Sequence, residues 1–149
     1  MSQIYKRIQD DIKTAMKTRS TVVVNTLRLL VDLIQKKMLV SGAPKEITDD
    51  IVIDCIIKSI KQREESIEAY KKGNRDDLVQ KETNELNILK GYQPTQISEE
   101  DIRLVVKDII AKLSPISSIG LVMKAVMTEL KGKADGALIS SIVKQEVAK

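Results

Sequence analysis

The stretch Lys131-Gly132-Lys133-Ala134-Asp135-Gly136 is the part of the chain best equipped to hold a charged ligand. Two lysines flank a glycine just ahead of a predicted helix start, where unbonded backbone N–H groups favour anions. A phosphate is the ligand such a turn would take. The stretch lacks the length and the Ser/Thr of a P-loop, so nucleotide hydrolysis is not implied. The same residues also read as an ordinary helix-to-helix turn. Gly132 would close one helix and Asp135 would cap the next, its carboxylate competing for the N–H groups an anion needs. On physical grounds alone the turn is the better reading. A second basic cluster is offered by Lys61, Arg63, Lys71, Lys72 and Arg75.

Other chemistry is poorly equipped. The sequence has no His, which removes the commonest general base, the His-paired nucleophiles and the usual zinc ligand. Its single cysteine, Cys55, sits on the apolar face of a predicted helix with no base nearby, and is expected to be a buried, inert thiol. Asp49, Asp50, Glu99, Glu100 and Asp101 fall in first turns of helices, where the helix dipole accounts for them. Glu64, Glu65 and Glu68 alternate with cations and read as a solvated face. No catalytic residue, metal site or cofactor is expected. Tyr5, Tyr70 and Tyr92 are the only aromatics, so base stacking on single-stranded RNA is not expected either. Any RNA contact would be to backbone and shape, and would weaken with salt.

The elements that position these residues follow from a composition of 149 residues, 42% hydrophobic and 31% charged, with no Trp and no Phe. The core must be aliphatic. Apolar residues recur at helical spacing throughout, and nothing reads as a strand. Helices are predicted over 2–18, with Ile4, Ile8, Ile12 and Ala15 inward, and over 20–40, with Val24, Leu27, Val31, Ile34 and Met38 inward. Ser41-Gly42-Ala43-Pro44 stops the second. A third runs from a Thr48 or Asp49 cap to Lys72, with Ile53, Ile56, Ile57, Ile60 and Ile67 as its stripe and Gly73 as a left-handed stop. A fourth runs from Asn74 to Gly91, with Leu78, Glu82, Leu86 and Leu89 aligned. Tyr92-Gln93-Pro94-Thr95-Gln96 is the expected boundary. Ser98 then caps a fifth helix that Ser114-Pro115 ends, Ser117 or Ser118 caps a sixth, and Asp135 caps a seventh. The fold class is therefore all-α, in two small domains: a four-helix part over 1–93 and a three-helix bundle over 97–149. The second, with about fifty residues, is near the lower size limit for independent folding.

The net charge of +4 is a mild bias, compatible with a polyanionic partner. One cysteine suggests a reducing compartment. The N-terminal Met-Ser-Gln-Ile-Tyr-Lys-Arg-Ile has no apolar secretory run, and 22–34 is too short and polar to span a bilayer. A cytoplasmic monomer without membrane contact is the expectation.

Several segments together resemble the GatB/YqeY family, in its stand-alone YqeY-like form. They are Asn25-Thr26-Leu27-Arg28-Leu29-Leu30, Lys61-Gln62-Arg63-Glu64-Glu65-Ser66-Ile67-Glu68-Ala69-Tyr70, Gly73-Asn74-Arg75-Asp76-Asp77-Leu78, Glu85-Leu86 with Leu89, 92–98, and the 131–136 turn. Gln93 stands where the family usually has Leu, and Leu121 where it often has Lys; the latter counts against an RNA contact at that position. The resemblance implies a larger N-terminal and a smaller C-terminal helical domain. It also links the chain to the tail of the GatB subunit of the glutamine-dependent tRNA amidotransferase, a carbon–nitrogen ligase. That tail recognises tRNA, while the catalytic parts of the enzyme have no counterpart here. The implied role is a tRNA-binding or amidotransferase-associated accessory protein without its own activity, with Lys131, Lys133, Arg63 and Arg75 as RNA contacts and tRNA-charging or amidotransferase proteins as further partners. The alternatives are a subunit of such a ligase, and a helical protein-interaction module with no RNA role.

Overall fold

Strong N-terminal caps decide where several helices begin. Ser2, Thr48, Ser98 and Ser118 each accept a backbone N–H through the side chain, from Tyr5, Ile51, Asp101 and Leu121 respectively. In the computed structural model, which describes residues 2–113 and 118–149, the described residues form seven helices. They are α1 (Gln3–Lys17), α2 (Thr21–Met38), α3 (Asp49–Lys72), α4 (Asp76–Lys90), α5 (Glu99–Lys112), α6 (Ile119–Glu129) and α7 (Gly136–Val147). The fold is all-α, as the apolar periodicity indicates. Ser114, Pro115 and Ser117, named above as stop and cap signals, lie outside the described residues. The chain divides into two compact units, Met1–Gln93 and Pro94–Lys149.

In the first unit, α1 to α4 enclose an aliphatic core centred on Ile8, Leu27, Leu30, Ile34, Val52, Ile56 and Leu89. Burying each such side chain contributes roughly 1.5–3 kcal/mol. The stripe of α3 is rotated from the expected one. Val52, Cys55 and Ile56 form its centre, while Ile53 and Ile57 sit half-buried on its shoulders. The run of β-branched residues offered two overlapping helical faces, and packing against α2 and α4 selects one. A second correction concerns the end of α3. Gly73 has an ordinary φ of −87°, and Asn74 takes the left-handed conformation with φ 56°. Asn reaches that region more easily than other non-glycine residues, so α4 begins at Asp76 rather than at Asn74.

Two polar clasps close this unit. The Ser2 hydroxyl donates to Asp49, whose carboxylate also accepts from the Ile4 N–H at 3.3 Å, tying the start of α1 to the start of α3. Tyr92, buried at the end of the unit, donates its hydroxyl to Asp11 and carries the Arg7 guanidinium 4.6 Å above its ring. Burial, and then the Asp11 carboxylate, push the Tyr92 phenol well up from its ordinary value.

In the second unit, Ile102, Val106, Ile109, Val122, Val126, Ile139, Ile142 and Val143 make the core. Glu146 is buried beside them, which no stripe could forecast. Its carboxylate accepts from Arg103 of α5 at 2.7 Å and from Lys149 at 3.0 Å, and Arg103 also reaches Glu99. These hydrogen bonds, Arg103 first, hold Glu146 below the usual carboxylate range against the opposing effect of burial.

Two outcomes follow. Ile56→Ala should cost about 2–5 kcal/mol in urea unfolding, as for a fully buried aliphatic residue, and Ile57→Ala less than half of that. Because Glu146 is more acidic folded than unfolded, its stabilisation is complete above the ordinary Glu value of about 4.3 and is lost as the pH falls through the folded value. Thermal melts of Glu146→Gln should therefore show a shallower loss of stability than the parent below about pH 5.

Candidate functional site

The 131–136 turn is built from backbone outward. Gly132 is buried with φ 76°, a conformation that only glycine adopts freely, and the Lys133 N–H closes the turn on the Leu130 carbonyl at 2.9 Å. Two of the turn's carbonyls are bonded to the segment that precedes α5. The Gly132 carbonyl accepts from the Gln96 side-chain amide at 2.6 Å, and the Lys133 carbonyl accepts from the Ile97 N–H at 3.0 Å. The turn is thus fixed through residues distant in sequence. Lys133 is exposed and Lys131 half-buried. Asp135 occupies the N-cap position of α7 with extended backbone and accepts the Ile139 N–H through its carbonyl, but its carboxylate makes no cap hydrogen bond. The competition expected between that carboxylate and an anion at the α7 N–H groups is not made through a bond.

Arg63 and Arg75 lie in the first unit and are differently placed. Arg63 is only 15% exposed and its Nη1 donates to Glu82 at 3.0 Å and to Glu85, so its charge is engaged between α3 and α4. Arg75 is well exposed and pairs with Asp77 at 3.3 Å, a contact that raises the arginine and lowers the aspartate from their ordinary values. Such an exposed pair contributes little to stability. Cys55 is buried, and burial pushes its thiol up, away from the thiolate a nucleophile needs. Among the described residues no group of three or more Cys, Asp or Glu could hold a metal ion, and no helix is long and apolar enough to cross a membrane.

Three of the segments that carried the family resemblance meet in the first unit. Thr26, Leu29 and Leu30 of α2, Gln62, Arg63 and Ser66 of α3, and Leu89 of α4 line one groove of about 380 Å³. Residues 5–147 match the family model described as Yqey-like protein. The chain belongs to the YqeY-like family. The protein called "Altered inheritance of mitochondria protein 41, mitochondrial" from Pyrenophora tritici-repentis is 34% identical, over 97% of this chain and 81% of its own length. The proteins of that name from Lachancea thermotolerans and Saccharomyces cerevisiae are 29% and 30% identical, over 95% and 93% of this YqeY-like chain and 78% and 80% of their own lengths.

These names overturn the expectation of a cytoplasmic protein, since relatives from several fungi are mitochondrial by name. The physical reason is plain. The search for an apolar secretory run addresses export alone, whereas organelle targeting uses amphipathic, Arg-rich segments that such a test does not detect.

Thr26 and Gln96 entered the sequence analysis only as members of longer segments, and Glu146 not at all. Thr26 carried a weak signal, a hydroxyl one helical turn from Leu30 inside an apolar face. Gln96 and Glu146 carried none, because their partners are remote in the chain.

Proposed function

We propose that this YqeY-like protein is a non-catalytic tRNA-binding accessory protein. The observation that supports it most directly is the 131–136 turn, which presents Lys133 and Lys131 beside the start of α7 on a backbone held by Gln96 and Ile97. Cations beside a helix N-terminus suit phosphate. Family membership supplies the link to tRNA recognition, and the net charge of +4 has the right sign. Arg75 can exchange its weak aspartate pair for a phosphate. Arg63 is set aside, since a phosphate would have to displace two carboxylates from it. The tRNA in question is that of the compartment for which the fungal relatives are named.

A second reading is a protein-interaction module whose partner is a tRNA-charging or amidotransferase protein. It draws support from the first unit, where Leu39 and Val40 are exposed and Tyr5, Met38, Leu39 and Ile47 line an apolar groove of about 660 Å³. Binding there would be insensitive to salt, unlike binding to RNA.

A gel shift with bulk tRNA across salt concentrations tests the first reading. Lys131→Glu with Lys133→Glu should weaken binding and flatten the slope of log K against log salt by about 2, in a protein that stays folded. Unchanged affinity in that variant, or no binding by the parent at low salt, would overturn it.

A further inference from the structure

Four of the ten large apolar side chains exposed among the described residues belong to α2 or to the two residues after it: Val22, Leu29, Leu39 and Val40. Single exposed apolar residues are ordinary, but a contiguous set marks a contact surface. On α2 they form part of a regular seam. Val22, Asn25, Leu29, Asp32, Lys36 and Leu39 recur at alternating spacings of three and four, and all six are exposed. That spacing is the a and d seam of a coiled coil. Leu29 is 59% exposed and Leu39 86%. Leu39 caps the helix with right-handed helical backbone, φ −85° and ψ −9°, and so continues the seam. The buried stripe of α2, Val24, Leu27, Leu30 and Ile34, lies on the other side. One side of α2 is filled by the core of the first unit, and the other has no partner within it.

We propose that the outward seam of α2 pairs with the same seam on a second copy of this chain, antiparallel, about a two-fold axis level with Ile34. Charge selects this occupant. Asp32 and Lys36 stand one turn apart between Leu29 and Leu39. Neither side chain makes a hydrogen bond or ion pair among the described residues, whereas the neighbouring Lys37 is engaged with Asp54 of α3 at 3.3 Å. Residues 32 and 36 are equidistant from 34, and so are 29 and 39. The two-fold therefore sets Asp32 against Lys36 of the second copy and Leu29 against Leu39 of the second copy, each contact occurring twice. A parallel pair would set Asp32 against Asp32 and Lys36 against Lys36, which like charges oppose. Sliding the antiparallel pair by one layer would set leucine against charge. Polar residues within a seam fix orientation and register in this way, at some cost in stability. A nucleic acid or an anionic membrane would call for surplus positive charge, and the two charges of the seam cancel. The contact is short, so the dimer is weak, with a dissociation constant of about 10–100 µM, as for interfaces below the standard size. The monomer expected from the sequence is then the dilute state.

Sedimentation equilibrium of the full chain from about 1 µM to about 500 µM reads the association. The parent should pass from monomer to dimer and no further, because a two-fold contact closes on itself. Asp32→Lys and Lys36→Asp should each weaken association about tenfold or more, since each places two like-charged pairs across the axis. An equimolar mixture of those two single variants should associate as the parent does, because every charged layer then meets its opposite. The double variant Asp32→Lys with Lys36→Asp should do so too. Leu39→Ser should weaken association about tenfold or more while the protein stays folded, since its side chain packs on little within its own chain. A parent that remains monomeric throughout that range would overturn the proposal. So would single reversals that associate undiminished, a mixture that does not recover association, or assembly beyond the dimer.

Discussion

The guanidinium of Arg63 reaches from α3 to the carboxylates of Glu82 and Glu85 on α4, and so joins the two most extensively packed helices of the first unit. All three side chains are largely withdrawn from water. Desolvating them is costly, and the cost is offset by the charge-assisted hydrogen bonds that one nitrogen, Nη1, donates to both carboxylates. The clasp ties α3 to α4, the pair whose packing, together with α2, puts Val52 and Ile56 into the core and leaves Ile53 and Ile57 on the shoulders.

The same contact sorts the basic residues by availability. Arg63 is committed to its own protein and Arg103 is committed likewise, to Glu146 and Glu99 in the second unit. Lys133 is exposed on a turn whose carbonyls are bonded to Gln96 and Ile97. The proposed tRNA contact accordingly rests on Lys131 and Lys133 of the second unit, with Arg75 of the first beside its exposed aspartate pair.

The helices were legible because aliphatic residues recur at helical spacing and because Thr48, Ser98 and Ser118 precede three of them as caps. Local signals of this kind need no knowledge of the tertiary fold. What was not legible depends on distance along the chain. Nothing in the sequence around Arg63 points to Glu82 and Glu85, some five helical turns and a loop away, and Arg63 read instead as one cation in a basic cluster. Glu146 drew no attention in the sequence, yet it is buried at the core with Arg103 as its partner. At the close of α3, Gly73 was the natural residue for a left-handed turn, yet Asn74 adopts it, since both tolerate that region and packing of α4 decides between them. The family resemblance, by contrast, drew on Thr26, Gln62, Arg63 and Leu89 together, and those are residues that one groove collects.

A double-mutant cycle between Arg63→Met and the pair Glu82→Gln with Glu85→Gln, read by urea unfolding, tests the clasp most directly. A working clasp gives a coupling energy of about 1 kcal/mol or more, because removing either side strands the other in a low-dielectric site. Stabilities that add to within about 0.5 kcal/mol would show the three groups to be independent, and would contradict the account.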